Sequence, residues 1–178
     1  KQLGKTFNRL IEIERQYKNE GRVKAIRKTR DFFYKGEIAK EIAEFFKKHG
    51  GLLSEIDLEN FNVQIEKPEI GTYKEYSIAT CGAWCQGPVL AQTLSLLDAD
   101  GLRAAGHNTP AYIHQFSEAL KLAFEDREIH NGDPRFVDVP MEALLSKDYA
   151  AERRQLIREG EVWGEMPPAG DPWPYQNG

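Results

Sequence analysis

VQIEKPEIGTYKEYSI, residues 63–78, is where the character of the chain changes. Val63 and Ile65 alternate with Gln64 and Glu66, and Tyr73 to Ile78 is rich in β-formers. Glu69-Ile70-Gly71-Thr72 lies between them, so the stretch is read as two strands and a turn. Helical spacing dominates on both sides. A lone two-stranded hairpin is marginal in water, so these strands are expected to join a sheet completed by other segments. The fold class expected is α+β, a mainly helical segment with one small β element.

Toward the N-terminus, Leu3, Phe7, Leu10, Ile11 and Tyr17 recur at helical spacing within residues 2–34, with a break near Gly21. A second helix is expected over 36–48, with Ile38, Ile42, Phe45 and Phe46 as its apolar stripe. Lys47, Lys48 and His49 complement its C-terminal dipole, and Gly50-Gly51 stops it. Ser54 with Asp57 has the form of a capping box. Toward the C-terminus, Pro88 suits a first helical turn, and Val89, Leu90, Leu94 and Leu97 form the expected face. Thr109-Pro110 is an N-cap and N1 pair that opens the longest helix, about residues 110–130, and Asn131-Gly132-Asp133-Pro134 ends it. Residues 146–159 read as another charged helix. The last 19 residues, from Gly160, hold four Pro and four Gly and read as a loop-like tail, with Trp163, Trp173 and Tyr175 as expected anchors. The organisation expected is one domain portion over 1–159 and an extended tail over 160–178.

At 178 residues the chain has room for one domain with a real core. Hydrophobic residues at 40% and charged residues at 29% are ordinary for a globular protein. No run approaches the roughly 18 apolar residues of a membrane span, so no membrane partner is expected. A net charge of -4 and a pI near 5.7 argue against a nucleic-acid partner. The chain opens on Lys1 without an initiator Met or a signal-like stretch, which reads as a processed, trimmed or truncated start. The two cysteines suit a reducing compartment and favour the cytoplasm, with periplasm and secretion left open because the true N-terminus is not seen.

Lys18, Arg22, Lys24, Arg27, Lys28 and Arg30 offer a phosphate-binding face, but without a Gly-rich loop or aromatic platform they read as a solvated helix surface. Cys81-Gly-Ala-Trp-Cys85 has neither CxxC spacing nor a second Cys/His cluster, so it is expected to bind no metal and to serve as no essential redox group. Its place between a strand and a helix is more informative, because such turns expose backbone N–H groups and line sites. His49, His107, His114 and His130 share no metal spacing and read as surface or capping residues. Glu125, Asp126 and Glu128 beside Asp133 offer a cation site, although Arg127 among them favours an ion-pair and capping cluster. No Gly-x-Ser-x-Gly, phosphate-binding loop or dinucleotide fingerprint occurs, and no cofactor is expected. The residues alone describe the helical part of a larger assembly.

Two stretches carry a resemblance. One is FYKGEIAKEIAEFFKKHGGLLSEIDLENF, residues 33–61, continued by GTYKEYSI; the other runs from Gln86-Gly-Pro-Val-Leu to Arg154. The elements FYKG, GGLLSEIDL, F-x-DR-x-x-x-x-GDP-x-FV-x-VP and LLSK-x-YA resemble, in order and spacing, the gamma-glutamyltranspeptidase family, in the C-terminal half of its large subunit. The resemblance implies a four-layer αββα sandwich of the N-terminal-nucleophile hydrolases, completed by other segments. It implies a precursor that cuts itself and a threonine at the start of the small subunit, which attacks an amide with its own α-amine as base. That nucleophile would follow the present C-terminus, so no catalytic residue is expected in this chain. The partners implied are the small subunit, the missing N-terminal half of the large subunit and a small-molecule amide.

One departure bears on the site. The family's Pro-Pro-Pro-Ser-Ser-Gly-Gly loop is replaced by Thr80-Cys81-Gly82-Ala83-Trp84-Cys85-Gln86-Gly87. Trp84, Cys85 and Gln86 are therefore the expected substrate-proximal residues, with packing of Trp84 on the following helix as the competing expectation. The arginine that holds a glutamyl α-carboxylate in the family belongs to the half that this chain lacks, so glutamyl specificity does not transfer. An acylase acting on a non-glutamyl acyl amide, a non-catalytic scaffold and a free-standing helical module are the alternatives. The tail is expected to run toward the site of self-cleavage.

Overall fold

The computed structural model describes residues 2–97 and 101–176 and divides the chain into two compact units, Lys1–Ile65 and Glu66–Gly178. The first unit is helical. α1 (Gln2–Gln16) leads through a single 3-10 turn to α2 (Arg22–Tyr34), and α3 (Glu37–Lys48) and α4 (Glu55–Asn60) follow. The expected break falls at Gly21, whose φ of 95° ends one helix axis before the next begins. α1 packs on α2, α2 on α3 and α3 on α4. The capping box forms as expected: the Asp57 N–H donates to Ser54 Oγ, and the Ser54 N–H returns a 2.8 Å bond to the Asp57 carboxylate.

The second unit carries the sheet and the core. β1 (Glu69–Tyr73) and β2 (Tyr76–Thr80) pair antiparallel, with Gly71 opposite Ile78 and Tyr73 opposite Tyr76. The strand assignment therefore needs correction. Residues 69–72, expected as the turn, form the first strand, and Lys74-Glu75 make the turn, with Lys74 at φ 52°. Val63 and Ile65 lie outside the sheet and are exposed. Pro68 has no N–H to give a ladder, so the strand opens after it. Alternation upstream of that proline finds no partner strand among the described residues.

Behind the hairpin come α5 (Gly87–Leu96), α6 (Gly101–Ala105), α7 (Pro110–His130), α8 (Met141–Leu144) and α9 (Lys147–Arg154). α5 packs against β1, α7 and α9, and the core gathers Val89, Leu96, Leu97, Ala119, Leu122 and Ala123. Enclosure on several sides changes the expected face of α5. Leu90 is left exposed, while the polar Gln92, Thr93 and Ser95 are buried. α7 has the expected limits, and Thr109 Oγ1 accepts the Tyr112 N–H as its cap. The last charged helix stops at Arg154 rather than Glu159, because Leu156 and Ile157 turn inward against the core.

The tail forms only one 3-10 turn, Trp173–Tyr175, in keeping with its prolines. Of the expected anchors, Trp163 and Tyr175 are half-buried, with the Tyr175 ring against Tyr149, but Trp173 is not an anchor. Pro167 and Pro172 are fully buried, whereas Trp173 is 49% exposed. Among the described residues no helix is long and apolar enough to cross a membrane.

Candidate active-site wall

β2 ends at Thr80 and α5 begins at Gly87, leaving six residues to reverse the chain. The Cys85 N–H donates to the Gly82 carbonyl at 3.1 Å, and Ala83 is buried beneath the loop. A Cβ at position 87 would stand 2.7 Å from Thr80 Cβ and 3.0 Å from the Cys81 backbone, so only glycine allows the helix to start so close to the strand. Trp84 is 59% exposed, and its Nε1 donates to Glu66 Oε2 at 3.0 Å.

Trp84 borders two clefts. One, of about 630 Å³, lies between Trp84, Cys85 and Gln86 and the end of α7 at Arg127, Asn131 and Asp133. The other, of about 420 Å³, runs from Glu66 and Gly82 past Trp84 to Pro134, Val137 and Met141. All three residues singled out in the sequence thus line one cleft, and Trp84 faces solvent rather than packing away on α5. Asp133 is held down to about 2 by hydrogen bonds from the Arg135 side chain and N–H, and Arg127 pairs with Glu128 at 2.8 Å. Asp133 therefore stays a carboxylate over the whole neutral range.

Cys81 and Cys85 are free thiols, the first exposed and the second half-buried. The Cys81 thiol lowers the pKa of Cys85, and the Gly87 and Gln86 N–H groups add to that effect. Cys81 moves the other way, chiefly because its proton is held in the bond to Cys85. Among the described residues no group of three or more His, Cys, Asp or Glu is arranged to hold a metal ion.

The acidic group on α7 does not form one cluster. Glu128 turns to Arg127 and Asp133 to Arg135, while Asp126 is fully buried. Its carboxylate accepts from Gln92 Nε2 at 2.6 Å, the Tyr149 hydroxyl at 2.9 Å and the Gly170 N–H at 2.8 Å, and it pairs with Arg153 at 3.0 Å. Burial, and then the Asp126 charge, push the Tyr149 phenol far above its ordinary value. Glu118, two turns earlier and also buried, pairs with Lys121 at 2.7 Å and accepts the Trp163 N–H at 3.3 Å.

Together these groups hold the tail by its main chain. Lys121 donates to the Trp163 carbonyl, Arg153 to the Pro168 carbonyl, and His130 Nε2 lies 2.8 Å from the Gly170 carbonyl. A Cβ on Gly170 would collide with the Tyr149 hydroxyl and Arg153. The sequence reading missed this hub, although a signal was present: Glu118 and Asp126 fall on the stripe of Ala119, Leu122 and Ala123 at spacings of three and four. His49 and His107 act locally, on the Phe45 carbonyl and the Tyr112 ring, while His114 reaches the Arg158 carbonyl beyond α9. The basic run of the first unit is exposed, and its Lys24 and Arg30 pair with Glu20 and Asp31.

The family model described as Gamma-glutamyltranspeptidase matches residues 3–177. The chain is 40% identical over 152 residues to the glutathione hydrolase proenzyme of Bacillus subtilis strain 168, covering 85% of this chain and 26% of that protein. The fold matches gamma-glutamyltranspeptidase of Helicobacter pylori with a TM-score of 0.70 at 32% identity, over 79% of this chain and 41% of that one. It matches the cephalosporin acylase of Bacillus halodurans equally, with a TM-score of 0.70 at 32% identity over 85% and 27%. The chain spans about a quarter of the length of the curated relatives it matches.

Proposed function

The chain belongs to the gamma-glutamyltranspeptidase family, and from that premise we propose that it is the large-subunit portion of a self-processing amide hydrolase or acyltransferase. The observation that carries this reading is the 40% identity to a glutathione hydrolase proenzyme sustained over 152 residues. In the proposed enzyme a threonine at the start of the partner chain attacks the substrate amide. Its hydroxyl proton passes to its own α-amine and on to the departing amine, leaving an acyl-enzyme that water or an acceptor amine resolves. This chain supplies helices and a hairpin to the four-layer sandwich, and residues 160–178 lead toward the self-cleavage site.

Within that enzyme Trp84, Cys85 and Gln86 form a wall of the acyl pocket, supported by the cleft they share with the end of α7. A large exposed aromatic face favours an apolar or extended acyl group there, and so a second reading: an acylase of the same fold acting on a non-glutamyl amide. The test is made on the full-length precursor. Replacing the threonine that opens the small subunit with alanine should leave one uncut, inactive chain. Processing or acyl-amide turnover by that variant would refute the assigned nucleophile. A Trp84→Ala enzyme should change its preference among acyl groups more than its preference among amines.

A further inference from the structure

We propose that Glu118, Asp126 and Arg153 are positioning residues for self-cleavage: they fix the course of the tail from Trp163 to Gln176 and so set where the junction that follows it is presented. This role rests on the self-processing proposed above. The hold runs along the whole segment. Glu118 accepts the Trp163 N–H, and Lys121 donates to the Trp163 carbonyl. Arg153 donates to the Pro168 carbonyl at 2.9 Å, and Asp126 accepts the Gly170 N–H at 2.8 Å. Pro172 is fully buried next. The Tyr175 hydroxyl donates to Glu152, and its ring lies 5.5 Å from that of Tyr149, which itself donates to Asp126. Gln176 Oε1 then accepts the Ala143 N–H at 3.1 Å, in the first turn of α8, where helix amides have no partner of their own. The chain is pinned as far as Gln176.

Buried charge, rather than apolar packing, does most of this holding, and the two differ in what they allow. Exchanging buried ion pairs for apolar side chains is often neutral or stabilising, so what the charges add is alignment. An apolar strip can slide on its seat, whereas N–H and C=O groups matched to single buried atoms cannot. Nor is the network built for stability alone: Arg153 Nε is buried and has no hydrogen-bond partner among the described residues.

Self-cleavage needs such alignment. The threonine hydroxyl adds to the carbonyl of the peptide bond before it; a C–O bond forms, the C–N bond breaks, and the hydroxyl proton ends on the freed amine. Water then hydrolyses the ester, leaving a carboxylate on the tail and the hydroxyl back on threonine. No substrate binding brings these groups together, so the fold of the precursor must. A displacement of about 1 Å in such a geometry can cost about a hundredfold in rate.

The test uses full-length precursor made by cell-free translation, its conversion to two subunits timed on denaturing gels. Wild type should convert, and the variant with alanine for the threonine that opens the small subunit should not; failure of either refutes the self-processing reading before any tail variant is compared. Given both, Gly170→Ala, whose Cβ would meet the Tyr149 hydroxyl and Arg153, should slow conversion about tenfold or more. Gln176→Ala should slow it about threefold, and Gln176→Glu, which keeps an acceptor for the Ala143 N–H, should convert like wild type. Thr109→Ala weakens unit 2 by removing the α7 cap, away from the tail, and should also convert like wild type. Wild-type rates in both Gly170→Ala and Gln176→Ala would overturn the proposal. So would a Thr109→Ala precursor as slow as Gly170→Ala, since the slowing would then follow stability and not the tail. If Gly170→Ala does not fold, Gln176→Ala against Gln176→Glu decides, equal rates overturning the proposal.

Discussion

In the first unit Arg9 reaches Glu37 and Glu41 at the surface; in the second, Arg153 meets Asp126 where water reaches neither side chain. The apolar residues differ in the same sense. Among the described residues the buried hydrophobic ones of unit 1 are Ala25, Ile38 and Ala39, while Leu3, Phe7, Ile11 and Phe45 stay exposed. Unit 2 closes Leu96, Leu97, Leu122 and Leu144 into its interior and also buries Gln92, Thr93, Ser95, Glu118, Asp126 and Arg153. Helical periodicity is equally plain in both. It tells which face of a helix is apolar, but not whether the same chain covers that face.

Hydrogen exchange should display the contrast most widely. Amides in the middle of α7 are expected to exchange orders of magnitude more slowly than those of α1, since local opening tracks buried apolar contact. Equal protection in the isolated chain would remove the distinction between the units. Asp126→Ala should then bring unit 2 toward the behaviour of unit 1. Leaving Arg153 buried without its partner costs about 3–5 kcal/mol, read as a fall in the denaturation midpoint. Arg9→Ala in unit 1 should leave the midpoint unchanged, because exposed ion pairs contribute little.

Gly170→Ala tests whether the tail is part of that interior. The added methyl must displace Tyr149 or Arg153, at a cost of about 1–3 kcal/mol, and should expose the tail to proteases before the rest of unit 2 opens. Thr109→Ala, which removes only the α7 cap, should cost about 1 kcal/mol. The smallest effect is one of pH. The Tyr149 phenol is raised in the folded state, so the unfolded chain loses its proton first and stability falls as pH climbs above about 10. Tyr149→Phe should flatten that alkaline decline in urea midpoints; an unchanged slope would show that the phenol does not carry it.

How far the sequence could be read follows from where each signal comes from. α7 was legible to the residue at both ends because Thr109-Pro110 and Asn131-Gly132 act locally. The hairpin was legible as a hairpin but not in register, since alternation at Val63 and Ile65 looks the same whether or not a neighbouring strand exists. Trp84, Cys85 and Gln86 were reached because a replaced loop stands out against its family, and they do border a cleft. Asp126 was hidden by its neighbours: between Glu125 and Arg127 it reads as one more surface charge. Only the assembly of α5, α7, α9 and the tail around it makes it a buried acceptor.

The way the tail is gripped has a consequence for anyone redesigning it. At Trp163, Pro168 and Gly170 the body of the unit touches carbonyl and amide groups, which every residue type presents alike. The grip therefore works as a ruler rather than a reader. Side chains between the fixed points can be respelled, apart from the packed Pro167 and the glycine that no side chain can replace, but the count from 163 to 170 is set by two carboxylates two turns apart on one helix. A single inserted or deleted residue there should be felt more than several substitutions.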